Sequence, residues 1–235
     1  ITFIDRTVQD TTSTADSVVV DEVNKVKIEG LKLDLDIEVT PDAYVEIIID
    51  PKTGDIIRGR GDGQLRLLID SQGDFQMTGG LDITDGAYNF SLYNIITKEF
   101  NIERPSTITW YGDPFAAIMD IKGSYTQNTS LDPLLQQAGF GTVSESGSQN
   151  TGRRVPTKVL LFLSGPMLSP NISFDIDFSE ANLNDYQTTT AISAFQARIQ
   201  SDEQELNRQV LSLIVLNRFQ DQGGLTIGGN STTQN

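Results

Sequence analysis

The sequence has no cysteine and no histidine, and only one tryptophan in 235 residues. Without cysteine there are no disulfides, thiolate metal sites or thiol redox chemistry. Without histidine there is no Ser-His-Asp triad, no Cys-His dyad, no imidazole base and no His-ligated zinc. No run approaches 18 consecutive apolar residues, so no segment reads as a membrane-spanning helix. Positive charge is scarce as well: 17 Lys and Arg face 32 Asp and Glu, a net charge of −15. A protein that binds nucleic acid must neutralise phosphates with Lys and Arg, so no nucleic-acid partner is expected. The same balance argues against electrostatic docking on anionic lipid. The chain opens on Ile1 with no charged or apolar leader, and reads as an excised segment or a processed product.

What is present is ordinary for a globular chain: 37% hydrophobic residues and 20 glycines, at a length that allows one domain with a sizeable core. Residues 1–17 read as a polar lead-in. From Val26 apolar and charged residues alternate. Leu31, Leu33, Leu35, Ile37 and Val39 are separated by Lys32, Asp34, Asp36 and Glu38. A period of two means a strand with one buried and one wet face. Val26 and Ile28 sit in the opposite phase, which a bulge at Gly30 would restore.

The alternation recurs down the chain. Val45, Ile47 and Ile49 end at Asp50-Pro51-Lys52-Thr53-Gly54, and Leu65, Leu67 and Ile69 end at Asp70-Ser71-Gln72-Gly73. Phe75, Met77, Leu81 and Ile83 lead to a turn expected at Asp85-Gly86. Tyr88, Phe90 and Leu92 follow, then Ile96, Phe100 and Ile102, then Ala117, Met119, Ile121 and Tyr125. Residues 155–163 are apolar on both faces, and Ile172, Phe174, Ile176 and Phe178 alternate with polar partners. Short strands at this spacing predict a β-meander. Residues 126–154 are polar and read as a long loop. Residues 187–219 carry apolar spacing of a helical kind, with Ser201 and Gln204 as a capping box between two short helices. The domain is expected over residues 18–222, with a flexible tail at 223–235. On pattern alone the sheet should close into a packed core, because large exposed apolar surfaces are rare.

Several residue groups imitate chemistry. Asp34/Asp36 and Asp175/Asp177 could be taken for calcium ligands, but alternating strands put such pairs on a solvated face. Asp82 and Asp85 could be taken for a hydrolase pair, yet Asp85 precedes a turn glycine. Gly59-Arg60-Gly61-Asp62-Gly63 lacks the spacing and the Lys-Ser/Thr of a phosphate loop. No catalytic residue, metal site or cofactor is expected, and the chain does not read as an enzyme.

A series of motifs is more specific. Gly61-Asp62-Gly63-Gln64-Leu65-Arg66-Leu67 and Gly73-Asp74-Phe75-Gln76-Met77-Thr78-Gly79 precede Ile83-Thr84-Asp85-Gly86-Ala87-Tyr88-Asn89-Phe90. Lys98-Glu99-Phe100-Asn101-Ile102 and Ile108-Thr109-Trp110-Tyr111-Gly112-Asp113-Pro114 follow. Later come Ser164-Gly165-Pro166-Met167-Leu168-Ser169-Pro170 and Asp202-Glu203-Gln204-Glu205-Leu206-Asn207-Arg208-Gln209-Val210-Leu211. In this order and spacing, residues 55–219 resemble the C-terminal domain of the TamB family, the inner-membrane component of the translocation and assembly module. That family is part of the AsmA-like, bridge-like lipid-transfer group.

The resemblance implies an all-β fold: a curled, open, antiparallel-rich trough (β-taco-like) with two short helices near the C-terminus. It implies the periplasm of a Gram-negative envelope, as part of an inner-membrane-anchored protein reaching the outer membrane. It implies phospholipid acyl chains as cargo and an outer-membrane insertase-family β-barrel (TamA-like) as partner. Residues expected to line the groove are Leu31, Leu33, Leu65, Leu67, Phe75, Met77, Tyr88, Phe90, Leu92, Phe100, Ile102, Phe174 and Ile176. The alternative is a scaffold for outer-membrane protein assembly that pairs by strand edges with the barrel. Arg104-Pro105-Ser106 stands where the family has a Gly-rich turn, so a stiffer hairpin is expected there. Relatives carry further strands after the helical segment, so part of any barrel interface would lie beyond Asn235.

Overall fold

A computed structural model describes residues 32–50, 54–92, 96–140 and 154–221. Leu31, the expected bulge at Gly30, the polar lead-in and the tail at 223–235 lie outside the described residues. The strands are β1 (Leu33–Val39), β2 (Tyr44–Asp50), β3 (Asp55–Ile69), β4 (Phe75–Leu92), β5 (Ile96–Gly112) and β6 (Ile118–Ser130). After the short helix α1 (Asp132–Gln137) come β7 (Arg154–Pro166), β8 (Asn171–Asp177), α2 (Tyr186–Ser201) and α3 (Glu203–Leu216).

All eight strands form one antiparallel sheet in the order β1-β3-β4-β5-β6-β7-β8, with β2 also on β3. β2 pairs with the first half of β3, from Asp55 to Arg60, and β1 with the second half, from Gly63 to Ile69. The two share one edge of the sheet, and the described residues of that edge do not pair with β8. The sheet is therefore open, as the family resemblance implied and contrary to the closed sheet that the pattern alone favoured.

Two expected turns, and a glycine-rich run, are bends inside strands. Gly61–Gly63, Asp85-Gly86 and Arg104-Pro105-Ser106 lie within β3, β4 and β5. The register shifts at Arg60/Gly61, between Asp82 and Ala87, and between Glu103 and Thr107. Together with the break between β1 and β2, these irregularities line up across the sheet. Bulges bend a strand and raise its twist without reversing it, so each long strand gains two arms. Residues 126–140 are also more ordered than a loop: β6 runs to Ser130, α1 follows, and Leu131 and Leu134 are buried.

The curl is measurable. Phe90 on β4 and Phe174 on β8 are four strand steps apart, about 19 Å in a flat sheet at ~4.8 Å per step. Their ring centroids are 5.7 Å apart. The inner face over β4–β8 thus rolls onto itself and packs Tyr88, Phe100, Ile108, Met119, Ile121, Leu161 and Leu163 into a core. The helices extend that core. Phe178, Phe195 and Phe219 form a ring cluster at centroid distances of 5.2 to 6.0 Å. Asp185 caps α2 by accepting from the Thr188 N–H. The cap of α3 is Asp202, which accepts from the Gln204 and Glu205 N–H groups, one residue after the expected Ser201. Buried Glu205 ties the two helices, 3.6 Å from Arg198 Nε and bonded to Arg208 and Gln209.

The wet face carries the charge. Lys122 and Lys158 reach Glu103 at 3.0 and 3.3 Å, and Lys158 reaches Glu180 at 2.7 Å. Burial alone would raise the Glu103 carboxyl, but hydrogen bonds from Lys122, Ser124 and Lys158 outweigh it and hold it below its ordinary value. A depressed carboxylate stabilises the fold at neutral pH, and that contribution fades as pH falls below about 4.3. The melting-temperature gap between the native protein and Glu103→Gln should therefore be widest near pH 7 and close on acidification. A gap independent of pH would show that the network does not stabilise the fold through the Glu103 charge.

Candidate functional site

The inner face is the surface with a continuous chemical character, and strand register fixes which residues share it. Leu35, Leu67, Met77 and Gly112 lie in one row across β1, β3, β4 and β5. Ile57, Tyr88 and Phe100 lie in another across β3, β4 and β5. The side chains between them on each strand, such as Asp34, Glu38, Arg66, Arg58 and Glu99, occupy the other face.

The expected groove residues fall into two groups. Tyr88, Phe90, Phe100, Ile102 and Ile176 are buried, and Phe174 is half-buried against Phe90. These pack on one another across the curl. Burial, reinforced by hydrogen-bonded Asp55, pushes the Tyr88 hydroxyl up, so it stays a neutral phenol. Leu33, Leu65, Leu67 and Met77 are half-buried, and Phe75 is 41% exposed. Leu35 and Ile37, 40% and 38% exposed, belong with this second group although they were not among the expected lining residues. Their alternation with Asp34, Asp36 and Glu38 was the available signal. Leu31 lies outside the described residues, and for Leu92 only the strand pairing with Ile96 is described.

The structure thus joins a packed sector over β4–β8 to an open apolar sector built from β1, the second half of β3 and the start of β4. The open sector offers burial to a guest with no polar group to orient it. A concavity of about 500 Å³ is lined by Asp36, Glu38, Gln64 and Arg66 of the wet face together with Ile37 and Leu65, and beside it Arg66 donates to Asp34 at 2.8 and 2.9 Å. A second, of about 410 Å³, lies between Phe162, Phe174, Ile199 and Leu206 at the α2–α3 elbow.

Two further observations bear on chemistry. Among the described residues no three Asp or Glu gather as a metal site. No described helix is long and apolar enough to cross a membrane. Lys98 is the cation that sequence reasoning passed over. Its register partner is Phe90, which puts it on the inner face. Its Nζ lies 4.9 Å from the Tyr125 ring centroid and 3.3 Å from the Tyr125 hydroxyl.

The family model of the TamB C-terminal domain matches residues 1–235, the whole chain. The comparison with curated proteins gives no match.

Proposed function

Because the chain belongs to the TamB C-terminal domain family, which works in cell-envelope biogenesis, we propose that it is a non-enzymatic periplasmic segment carrying phospholipid acyl chains between the inner and outer membranes. The observation that carries this reading is the open apolar sector of Leu33, Leu35, Ile37, Leu65, Leu67, Phe75 and Met77 on an otherwise acidic protein. A two-tailed lipid exposes on the order of 30 methylenes, each costing about 0.8 kcal/mol in water. An apolar strip lowers that cost with no reaction and no cofactor. The acidic wet face keeps such a strip soluble.

The test is native mass spectrometry of the protein purified from bacterial membranes in mild detergent. Phospholipid should co-purify with the native chain. Placing carboxylates in the open sector, as Leu35→Asp with Phe75→Asp, should lower retention about tenfold while the circular dichroism melt is preserved. A lipid-free native chain, or equal retention in the variant, would contradict the reading.

A second reading, a scaffold that pairs by strand edges with an insertase-type barrel, is favoured by the β1/β2 edge, along which no further described strand pairs. That edge carries Asp34, Asp36 and Glu38, and at the other edge the Asp175 carboxylate accepts from the Ile176 N–H at 2.7 Å. Charges and side-chain caps of this kind discourage indiscriminate pairing. Salt-insensitive capture of a TamA-type barrel, abolished by Ile37→Pro, would support the scaffold.

A further inference from the structure

β8 ends the sheet, and no described strand pairs along its outer side. The Asp175 carboxylate accepts from the Ile176 N–H at 2.7 Å, so Ile176 does not exchange ladder bonds with Val159 opposite. Facing residues in an antiparallel pair alternate between bonded and non-bonded, so Phe174–Leu161 and Ile172–Leu163 are non-bonded as well. The N–H and C=O groups of Ile172 and Phe174 therefore turn away from β7, toward the free edge.

The concavity of about 410 Å³ lies along that edge. Ser173, Phe174 and Asp175, which alternate between the two faces of β8, all line it, and the α2–α3 elbow forms the opposite wall. Its floor is apolar: Phe162, Phe174 and Leu206 are half-buried, and Ile199 is buried. Its volume is that of a ligand pocket, typically about 300–1,000 Å³. The ionisable groups that line it, Asp175 and Glu203, are both exposed carboxylates. Neighbouring cations are engaged elsewhere, Arg198 and Arg208 with Glu205, and Lys158 with Glu103 and Glu180.

An unpaired strand edge beside an apolar cleft is suited to an extended peptide that joins the sheet as one more strand. The edge groups of Ile172 and Phe174 supply backbone bonds, the floor takes an apolar side chain, and the carboxylates select Lys or Arg beside it. The same carboxylates repel a lipid phosphate. We propose that the β8–elbow cleft is a docking site for an extended, basic segment of a partner protein. The Asp175 cap closes the edge at Ile176, so the added strand is confined to the stretch before it. Acyl chains in the open sector neither require nor preclude a peptide here.

The test is fluorescence anisotropy on the full chain, with a labelled hexapeptide that alternates Lys with Ile and Phe. Two further forms of the peptide carry N-methyl groups on its odd or on its even amides. The native chain should bind the parent peptide, and one methylated form should bind about tenfold more weakly while the other keeps its affinity. Equal affinity for all three forms would show that no ladder forms, and would overturn the docking site. Glu203→Lys and Asn207→Lys, two exposed changes on the rim of the cleft, should each weaken the parent peptide about tenfold. Unchanged affinity in both variants would place the peptide elsewhere and overturn the assignment. So would no binding by the native chain up to about 1 mM. Displacement of the peptide by a short-chain phosphatidylglycerol, strengthened in the two lysine variants, would make the cleft a lipid site instead.

Discussion

Truncating Phe100 to Ala should lower the unfolding free energy by about 3–5 kcal/mol, while the same truncation at Phe75 should cost under about 1 kcal/mol. Both are phenylalanines on the inner register of an alternating strand. Phe100 is 0% exposed, edge-on to Phe90 at 6.1 Å and tilted against Tyr125 at 6.1 Å. Removing it leaves a cavity that the surrounding strands can only partly fill. Phe75 already faces water over much of its surface, so little burial is lost. Chemical denaturation of the two variants gives the comparison directly. Equal costs would mean that the inner face is packed throughout, and the open sector would disappear as a place for a guest.

Gly79→Val should be as damaging, by about 3 kcal/mol or more, for a backbone reason. Gly79 has φ +124°, a region that side-chain-bearing residues rarely adopt, and a Cβ there would sit 2.0 Å from the Gln64 carbonyl oxygen. Gly63 on the facing strand is as tight, at 2.1 Å from the Gly80 carbonyl oxygen. β3 and β4 therefore approach closely beside the bends, and a β-branched side chain would push them apart. The adjacent Gly80 is the control: a Cβ there meets nothing nearer than 3.9 Å, so Gly80→Ala should stay within about 1 kcal/mol of the native chain. Urea midpoints check the pair. Similar losses at both positions would show that the cost lies in general strand propensity and not in the close approach.

Period-two alternation made most of the sheet readable from sequence. It assigned Leu33, Leu35 and Ile37 to one face and Asp34, Asp36 and Glu38 to the other, and the register agrees. Local punctuation was less informative. Asp85-Gly86 and Arg104-Pro105-Ser106 carry the residues of a turn, but the same residues serve a bulge, and only pairing with neighbouring strands distinguishes a bend from a reversal. The α3 cap was displaced by one residue because Ser201 and Asp202 are both good caps, and the carboxylate reaches the Gln204 and Glu205 N–H groups. The split between Phe75 and Phe100 was beyond reach of the pattern, because it depends on where the sheet curls. Lys98 was legible in position, two residues before Phe100, yet an isolated lysine has no sequence signature without its neighbours across the strands.

The account stands on the open sector of the inner face being the surface that meets lipid. A photo-crosslinking phenylalanine analogue placed at Phe75, at Leu35 and, on the wet face, at Tyr111 tests this in living cells. Irradiation followed by mass spectrometry of the purified chain should give phospholipid adducts at positions 75 and 35 and none at 111. Adducts at 111 equal to those at 75, or no adduct at 75 and 35, would contradict the account.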